Sequence, residues 1–284
     1  MFSPVRQAIK SRVSDSAITI DSLEKSFPET QRGWRAFLQP FSAPTLKAVR
    51  GISLQVKQGE AVALLGVNGA GKSTLLRILA TLLLPGGGNA VVCGFDVAKE
   101  PAAVRRQLGY HAGSDTGFYA RLTGEENLRF FGRLNHLSDS VLRARIPALA
   151  ELFELEDSIR KQARTLSAGT VQRLSLVRAV LHQPKVLLLD EPTRSLDALG
   201  AADFRNFLKK EVLQKQGTSL LFASHTLPEI EYLADRVAIL KEGQLVAVGT
   251  PAELKNQAGA ETLEEAFASI TGHSARSLEE TASS

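Results

Sequence analysis

The stretch Gly66–Thr74, GVNGAGKST, follows the apolar run AVALL and opens a segment with helical spacing. This order of strand, glycine-rich loop and helix decides the fold, and it fits the P-loop pattern G-x-x-x-x-G-K-[ST]. Gly66, Gly69 and Gly71, with Asn68 and Ala70 between them, let the backbone curl until successive N–H groups face a phosphate. The helix N-terminus adds positive potential at the same point. Lys72 is placed to reach the β- and γ-phosphates, Ser73 to hold Mg²⁺ and Thr74 to contact an inner phosphate. A glycine-rich turn with no ligand is the plain alternative, but strand, loop, lysine, hydroxyls and helix agree on a nucleotide.

Working outward, AITI at 17–20 and GISLQV at 51–56 read as strands before AVALL, so the domain is mixed α/β. After the P-loop helix, PGGG at 85–88 marks a turn. VVCGFDV at 91–97 then reads as one further strand, and Pro101 to Leu108 as a helix. Helical periodicity dominates Leu122 to Leu166, with Leu128, Phe131 and Leu134 predicted as one buried stripe and Leu149, Leu152, Phe153 and Leu155 as another. KVLLLD, SLLFAS and RVAIL are short, nearly continuous apolar runs, as expected for strands of a parallel sheet buried on both faces. The fold class is therefore α/β of the P-loop NTPase kind.

The predicted map has a disordered arm at 1–16 and one ATPase domain at 17–272. Within it, 17–108 holds the first strands and the P-loop core, 109–175 a helical subdomain, and 176–272 the rest of the core; 273–284 reads as a disordered tail. A content of 44% hydrophobic residues in 284 suffices for a sizeable core. Runs such as Ile78 to Leu84 fall well short of the roughly 18–20 apolar residues that cross a bilayer. The N-terminus has no continuous apolar segment of a signal peptide, and the expectation is a soluble chain. A single cysteine, Cys93, rules out an intrachain disulfide or a cysteine-based zinc cluster. The net charge of +4 is scattered, which gives no support to nucleic acid as a partner and leaves weak attraction to an anionic membrane face open.

A second chemical element is KVLLLDEP, Lys185–Pro192, an apolar strand that ends in two adjacent carboxylates. Ligands gather at that edge of open α/β sheets. Asp190 is placed to fix Mg²⁺, and Glu191 to orient and polarise an attacking water.

Three further motifs narrow the class: TLSAGTVQRLSLVRAVL at Thr165–Leu181, SLD at Ser195–Asp197 and SHT at Ser224–Thr226. With them the chain resembles the ATP-binding cassette (ABC) ATPases from about Ala17 to Gly272. The resemblance implies a core like that of RecA, with a small antiparallel subdomain and a helical subdomain. It implies that Leu166, Ser167, Ala168, Gly169 and Thr170 form the family's signature, which faces the γ-phosphate held by the other subunit of a dimer. Ala168 and Thr170 depart from the commonest form; Ser167 and Gly169 keep it. By itself LSAG before a helix is an ordinary N-cap. The resemblance further implies His225 as the switch histidine beside the γ-phosphate, Asp197 as the acid coupling the two sites, and Phe27 as the aromatic stacked on adenine. Trp34, Phe37 and Phe41 are rivals for that last role.

ETLEEAFASITG at 261–272 and the pattern Y-x-x-L-T-x-x-E-N-L at 119–128 look most like subunits of exporters of drugs, lipids, polysaccharides or sodium. That resemblance implies ATP and Mg²⁺ as cofactors, a homodimer, and a separate membrane permease docking a short helix beside Gly109 to Phe131 at the cytoplasmic face of the membrane. A soluble ABC ATPase of translation or repair is the alternative, and neither a second cassette nor a coiled-coil insertion supports it.

The family carries a glutamine shortly after G-Y, and GYHAGSDTGFYARLT at 109–123 has none. Counting forward puts Gly113 at its position; counting back from Leu122 and Thr123 puts Ser114 there. Ser114 and Asp115 carry oxygens suited to Mg²⁺ or water. A working ATPase with altered coupling is the expectation, with a nucleotide-gated switch of little hydrolysis as the other reading. The insert at 28–46 reads equally as a membrane-facing helix around Trp34 and Phe37 or as a loop packed on its own domain.

Overall fold

The computed structural model describes residues 15–28, 45–113, 117–194 and 196–272. The aromatics of the insert, the candidate ligands Ser114 and Asp115, Ser195, most of the arm and the tail beyond 272 lie outside the described residues.

Two sheets organise the chain. The first contains β1 (Ser16–Pro28), β2 (Thr45–Lys57), β4 (Gly87–Val92) and β5 (Phe95–Asp96), antiparallel in the order β2-β1-β4-β5. The second contains β3 (Ala61–Leu65), β6 (Leu108–His111), β7 (Val186–Asp190), β8 (Ser219–Ala223), β9 (Arg236–Lys241) and β10 (Gln244–Gly249), in the order β10-β9-β3-β8-β7-β6. All its pairings are parallel except β10 with β9.

The continuous apolar runs have a physical reason in this second sheet. Along β3, Ala61, Ala63 and Leu65 enter one core with Leu187, Leu189, Leu220 and Phe222. Val62 and Leu64 enter the other with Val186, Leu188 and Leu221. Alternate side chains point to opposite faces, so a strand covered on both sides must be apolar at every position. The P-loop helix α1 (Lys72–Leu79) closes one face with Leu75, Leu76, Ile78 and Leu79, and the antiparallel sheet packs beside it.

The other face is covered by the helical layer. It contains α3 (Gly124–Leu134), α4 (Asp139–Leu152) and the buried side of α5 (Ala168–Val180), while α2 (Pro101–Gln107) precedes β6. Downstream, α6 (Ala198–Phe207) runs into a π-helical stretch at Leu208–Lys215. Then come α7 (Leu227–Leu233), α8 (Pro251–Ala258) and α9 (Leu263–Thr271).

Three local expectations need correction. VVCGFDV is a hairpin rather than one strand, because Cys93 (φ 49°) and Gly94 (φ 85°) turn the chain between β4 and β5. The core does not end at 108: β6 runs to His111 and pairs with β7, so the first residues assigned to the helical subdomain belong to the parallel sheet. The predicted stripes are also rotated. Leu128, Phe153 and Leu155 are buried, but Leu134 is 60% and Leu152 40% exposed, and Phe131 and Leu149 are half-buried. The buried face of α3 runs instead through Gly124, Asn127, Leu128 and Gly132, and that of α4 through Leu142, Ile146 and Ala150.

Candidate active site

Four loops leave the C-terminal edge of the parallel sheet side by side. They follow β3, β6, β7 and β8, and they carry the P-loop, Gly113, the Asp190–Glu191 pair and His225. Beneath them lies a cavity of about 530 Å³. Asn68, Gly69, Ala70, Gly71, Lys72, Ser73 and Thr74 line it, with Asp190 and Glu191 opposite and Phe27 and Gly113 at its margins.

The loop is held by backbone geometry. Gly71 sits at φ 101°, in the left-handed region, and a Cβ there would collide with the Ala48 carbonyl oxygen. Gly66 lies behind the loop, where a Cβ would come within 2.5 Å of the Leu240 carbonyl oxygen. Lys72 is buried and its Nζ donates to the Gly66 carbonyl at 2.5 Å and the Val67 carbonyl at 3.2 Å. Burial pushes the Lys72 ammonium below its usual range, and Glu191 and Asp190 pull it back up.

Asp190 is 7% exposed, and burial raises its carboxyl above the ordinary range while a hydrogen bond from the Ser73 hydroxyl lowers it. Glu191 takes φ 50°, a conformation rare for a side chain of this size, while its N–H donates to the Ala223 carbonyl of β8 at 2.9 Å. That backbone turn aims its carboxylate at His225, whose Nδ1 lies 2.7 Å from Glu191 Oε2. The Glu191 contact raises the His225 imidazole above its usual range against the opposing effect of burial.

A hydroxyl and a carboxylate are hard oxygen donors of the kind Mg²⁺ prefers. Among the described residues no group of three or more His, Cys, Asp or Glu side chains could hold a metal by itself. Ser73 and Asp190 therefore fit Mg²⁺ in its usual nucleotide setting, in which few protein ligands are completed by phosphate oxygens and water.

The remaining site residues stay apart. Ser167 is exposed at the N-cap of α5, accepting from the Thr170 N–H at 3.2 Å, with Gly169 in the first turn. Asp197 is exposed at the N-cap of α6, accepting from the Gly200 N–H at 2.8 Å. None of the three lines the cavity. Phe27 does line it, half-buried, with Lys25 Nζ 5.4 Å from the ring centroid.

Residues 49–194 match the ABC transporter family. The chain belongs to that family. It is 38% identical over 224 residues to the ABC transporter ATP-binding protein NatA of Bacillus subtilis, covering 79% of this chain and 90% of that one. It is also 38% identical over 255 residues to the daunorubicin resistance ATP-binding protein DrrA3 of Streptomyces coeruleorubidus, covering 89% and 74%. Among solved structures, an ATP-binding subunit of an ABC transporter superposes with a TM-score of 0.77 at 27% identity over 90% of this chain and 99% of that one. This ABC protein is an ATPase.

Sequence reasoning missed several residues at the cavity and behind it. Arg194 lines the cavity beside Glu191. His111, fully buried at the end of β6, places Nδ1 3.1 Å from Ser175 Oγ and Nε2 3.2 Å from Gln172 Nε2, both on the signature helix α5. With the Gln172 amide nitrogen, which can only donate, facing Nε2, the proton of the neutral imidazole sits on Nδ1 and is donated to Ser175 Oγ. Burial pushes His111 down to about 3, so it stays neutral. Arg178, one turn on, donates to Ser175 Oγ at 3.4 Å and lies 4.8 and 4.9 Å from the ring centroids of Phe118 and Phe131. The histidine stood inside the glutamine-less stretch, but no local pattern announces a partner 61 residues away. Where the glutamine is missing, Gly113 brings the backbone so close that a Cβ would lie 3.0 Å from the Asp190 carbonyl oxygen.

Proposed function

We propose that this chain is the ATP-hydrolysing subunit of an ABC exporter, pairing with a second copy around two ATP molecules and driving a separate membrane permease. The observation that carries this reading is the division of the site. Lys72, Ser73, Asp190 and Glu191 line one cavity, whereas Ser167, Gly169 and Asp197 are presented away from it. A single copy thus offers one half-site and the complement of another, which suits closure of two copies over shared nucleotides.

In this reading the P-loop N–H groups and Lys72 would hold the phosphates, and Ser73 and Asp190 would hold Mg²⁺. The metal would supply charge neutralisation between phosphate oxygens. Glu191 accepts a proton from the attacking water, and His225, held at 2.7 Å, orients that carboxylate. Phe27 stacks on the base at the margin of the cavity.

A groove of about 500 Å³ supports coupling to a permease. It lies between α2, α3 and α5, lined by Leu82, Ala102, Tyr110, Phe131, Leu134 and Arg178. Leu82 and Leu134 are 59% and 60% exposed there, apolar surface that a docked helix would cover. No helix among the described residues is long and apolar enough to cross a membrane; in this reading the separate permease supplies the passage. The site is then the cytoplasmic face of the membrane.

The test is ATP-dependent transport in inverted vesicles containing the chain and its permease, with daunorubicin as first cargo because relatives carry that name. Glu191→Gln should retain ATP binding and lower phosphate release by roughly 100- to 10,000-fold. Transport should stop with it. Unchanged phosphate release in Glu191→Gln would refute the assignment.

A further inference from the structure

Glu191 and His225 hang from separate loops, at the ends of β7 and β8. The backbone joins those ends through the Glu191 N–H and the Ala223 carbonyl, 2.9 Å apart. The β7–β8 ladder ends at that bond, and the productive geometry of the two side chains beyond it needs a second tie.

That second tie is a residue outside every motif. Glu229, in the first turn of α7, has no exposed surface. Its Oε2 accepts from the Ser224 hydroxyl at 2.6 Å and from the Thr193 hydroxyl at 3.3 Å. Ser224 immediately precedes His225, and Thr193 lies two residues after Glu191. Ser224 Oγ also accepts from the Thr226 N–H at 3.0 Å, so both chain neighbours of His225 belong to the same bridge.

Stability alone does not account for an acid at this position. Glu229 Oε1 is buried with no hydrogen-bond partner. A carboxyl with one oxygen unsatisfied is costlier to bury than an apolar side chain of similar volume. Burial and the nearby Glu191 push the Glu229 carboxyl above its ordinary range, and the two hydroxyl bonds and Arg205 pull it down. In either protonation state Oε2 accepts both hydroxyls, so the bridge needs an acceptor and not a charge.

We propose that Glu229 is a positioning residue for ATP hydrolysis, fastening the loop that carries His225 to the loop that carries Glu191 and so holding their 2.7 Å contact. The proposal rests on the roles given above to those two side chains.

The experiment measures kcat, the Kd of a fluorescent ATP analogue and the melting temperature for the full chain, Glu229→Leu, Glu229→Gln and Ser224→Ala, with Glu191→Gln alongside. Glu229→Leu should lower kcat about tenfold or more with Kd within about twofold, because misplacement affects the reacting groups and not the P-loop. Glu229→Gln should recover most of the rate, its amide oxygen accepting both hydroxyls. If Glu229→Leu does not fold, Ser224→Ala should give the same split. Wild-type kcat in a folded Glu229→Leu, equal losses in kcat and affinity, or no recovery in Glu229→Gln would overturn the proposal. Undiminished turnover in Glu191→Gln would instead overturn the function it rests on.

Discussion

The P-loop and the turn after His111 follow β3 and β6, which β8 and β7 separate in one parallel sheet, and both reach one cavity, yet they are held in opposite ways. The first is shaped by its own backbone: Gly71 at φ 101° turns the chain, and Lys72 folds back onto the Gly66 and Val67 carbonyls. The second is held from behind, by His111 clamped to Gln172 and Ser175 of the signature helix. A loop built from local backbone geometry keeps its form whatever packs around it. One held by side chains from a distant helix depends on where that helix packs.

The comparison breaks most sharply at Gly71. Gly71→Ala puts a Cβ into the Ala48 carbonyl and a side chain at positive φ, so it should cost about 1–3 kcal/mol of strain and open the loop. ATP affinity should then fall about tenfold or more, read by titration with a fluorescent analogue.

His111→Leu tests the other arrangement with a smaller effect. Losing both bonds should cost about 1–2 kcal/mol in denaturant unfolding, with ATP affinity nearly unchanged. The sign of its pH dependence follows from a folded value of about 3 against the ordinary 6.5. Between those values the unfolded chain takes up a proton that the fold refuses, so the stability due to neutral His111 is full above 6.5 and is lost as pH falls. The slope is about 1.4 kcal/mol per pH unit at most. His111→Leu lacks it, so the wild-type lead should vanish about one to one and a half pH units below 6.5, and the variant should be the more stable of the two towards pH 4.

The smallest effect is expected at Gly113. A Cβ 3.0 Å from the Asp190 carbonyl must push the loop aside by a few tenths of an ångström, so Gly113→Gln should cost under about 1 kcal/mol. Phosphate release should be no faster than in the wild type. Faster release would show that the clamp at His111 is a poorer device than the family's glutamine.

Legibility in the sequence followed the range of the interactions. Gly66 to Thr74 and KVLLLDEP were readable because each places its chemistry within a few residues of the strand that carries it. The β4–β5 hairpin hid behind two residues at positive φ, and β6 behind a run of four residues too short to show a period. The helical stripes were misplaced because spacing says which side chains share a face and not which face meets the core. Leu134 follows Leu128 by six residues, about 120° round an α-helix, so the spaced leucines drift off one face, and the packing of α3 leaves Leu128 buried and Leu134 exposed.

By itself, then, the sequence determined the nucleotide chemistry, the parallel core and the family, because these depend on residue types at fixed short spacings and on strands that must be apolar at every position. Tertiary structure alone decided that Glu229 bridges two loops 31 residues apart, from Thr193 to Ser224, that His111 faces the signature helix, and that Gly113 stands against Asp190. Those facts depend on which strands become neighbours in the sheet, and strand order is settled by the burial of both faces together, a sum over the whole chain that no short stretch contains.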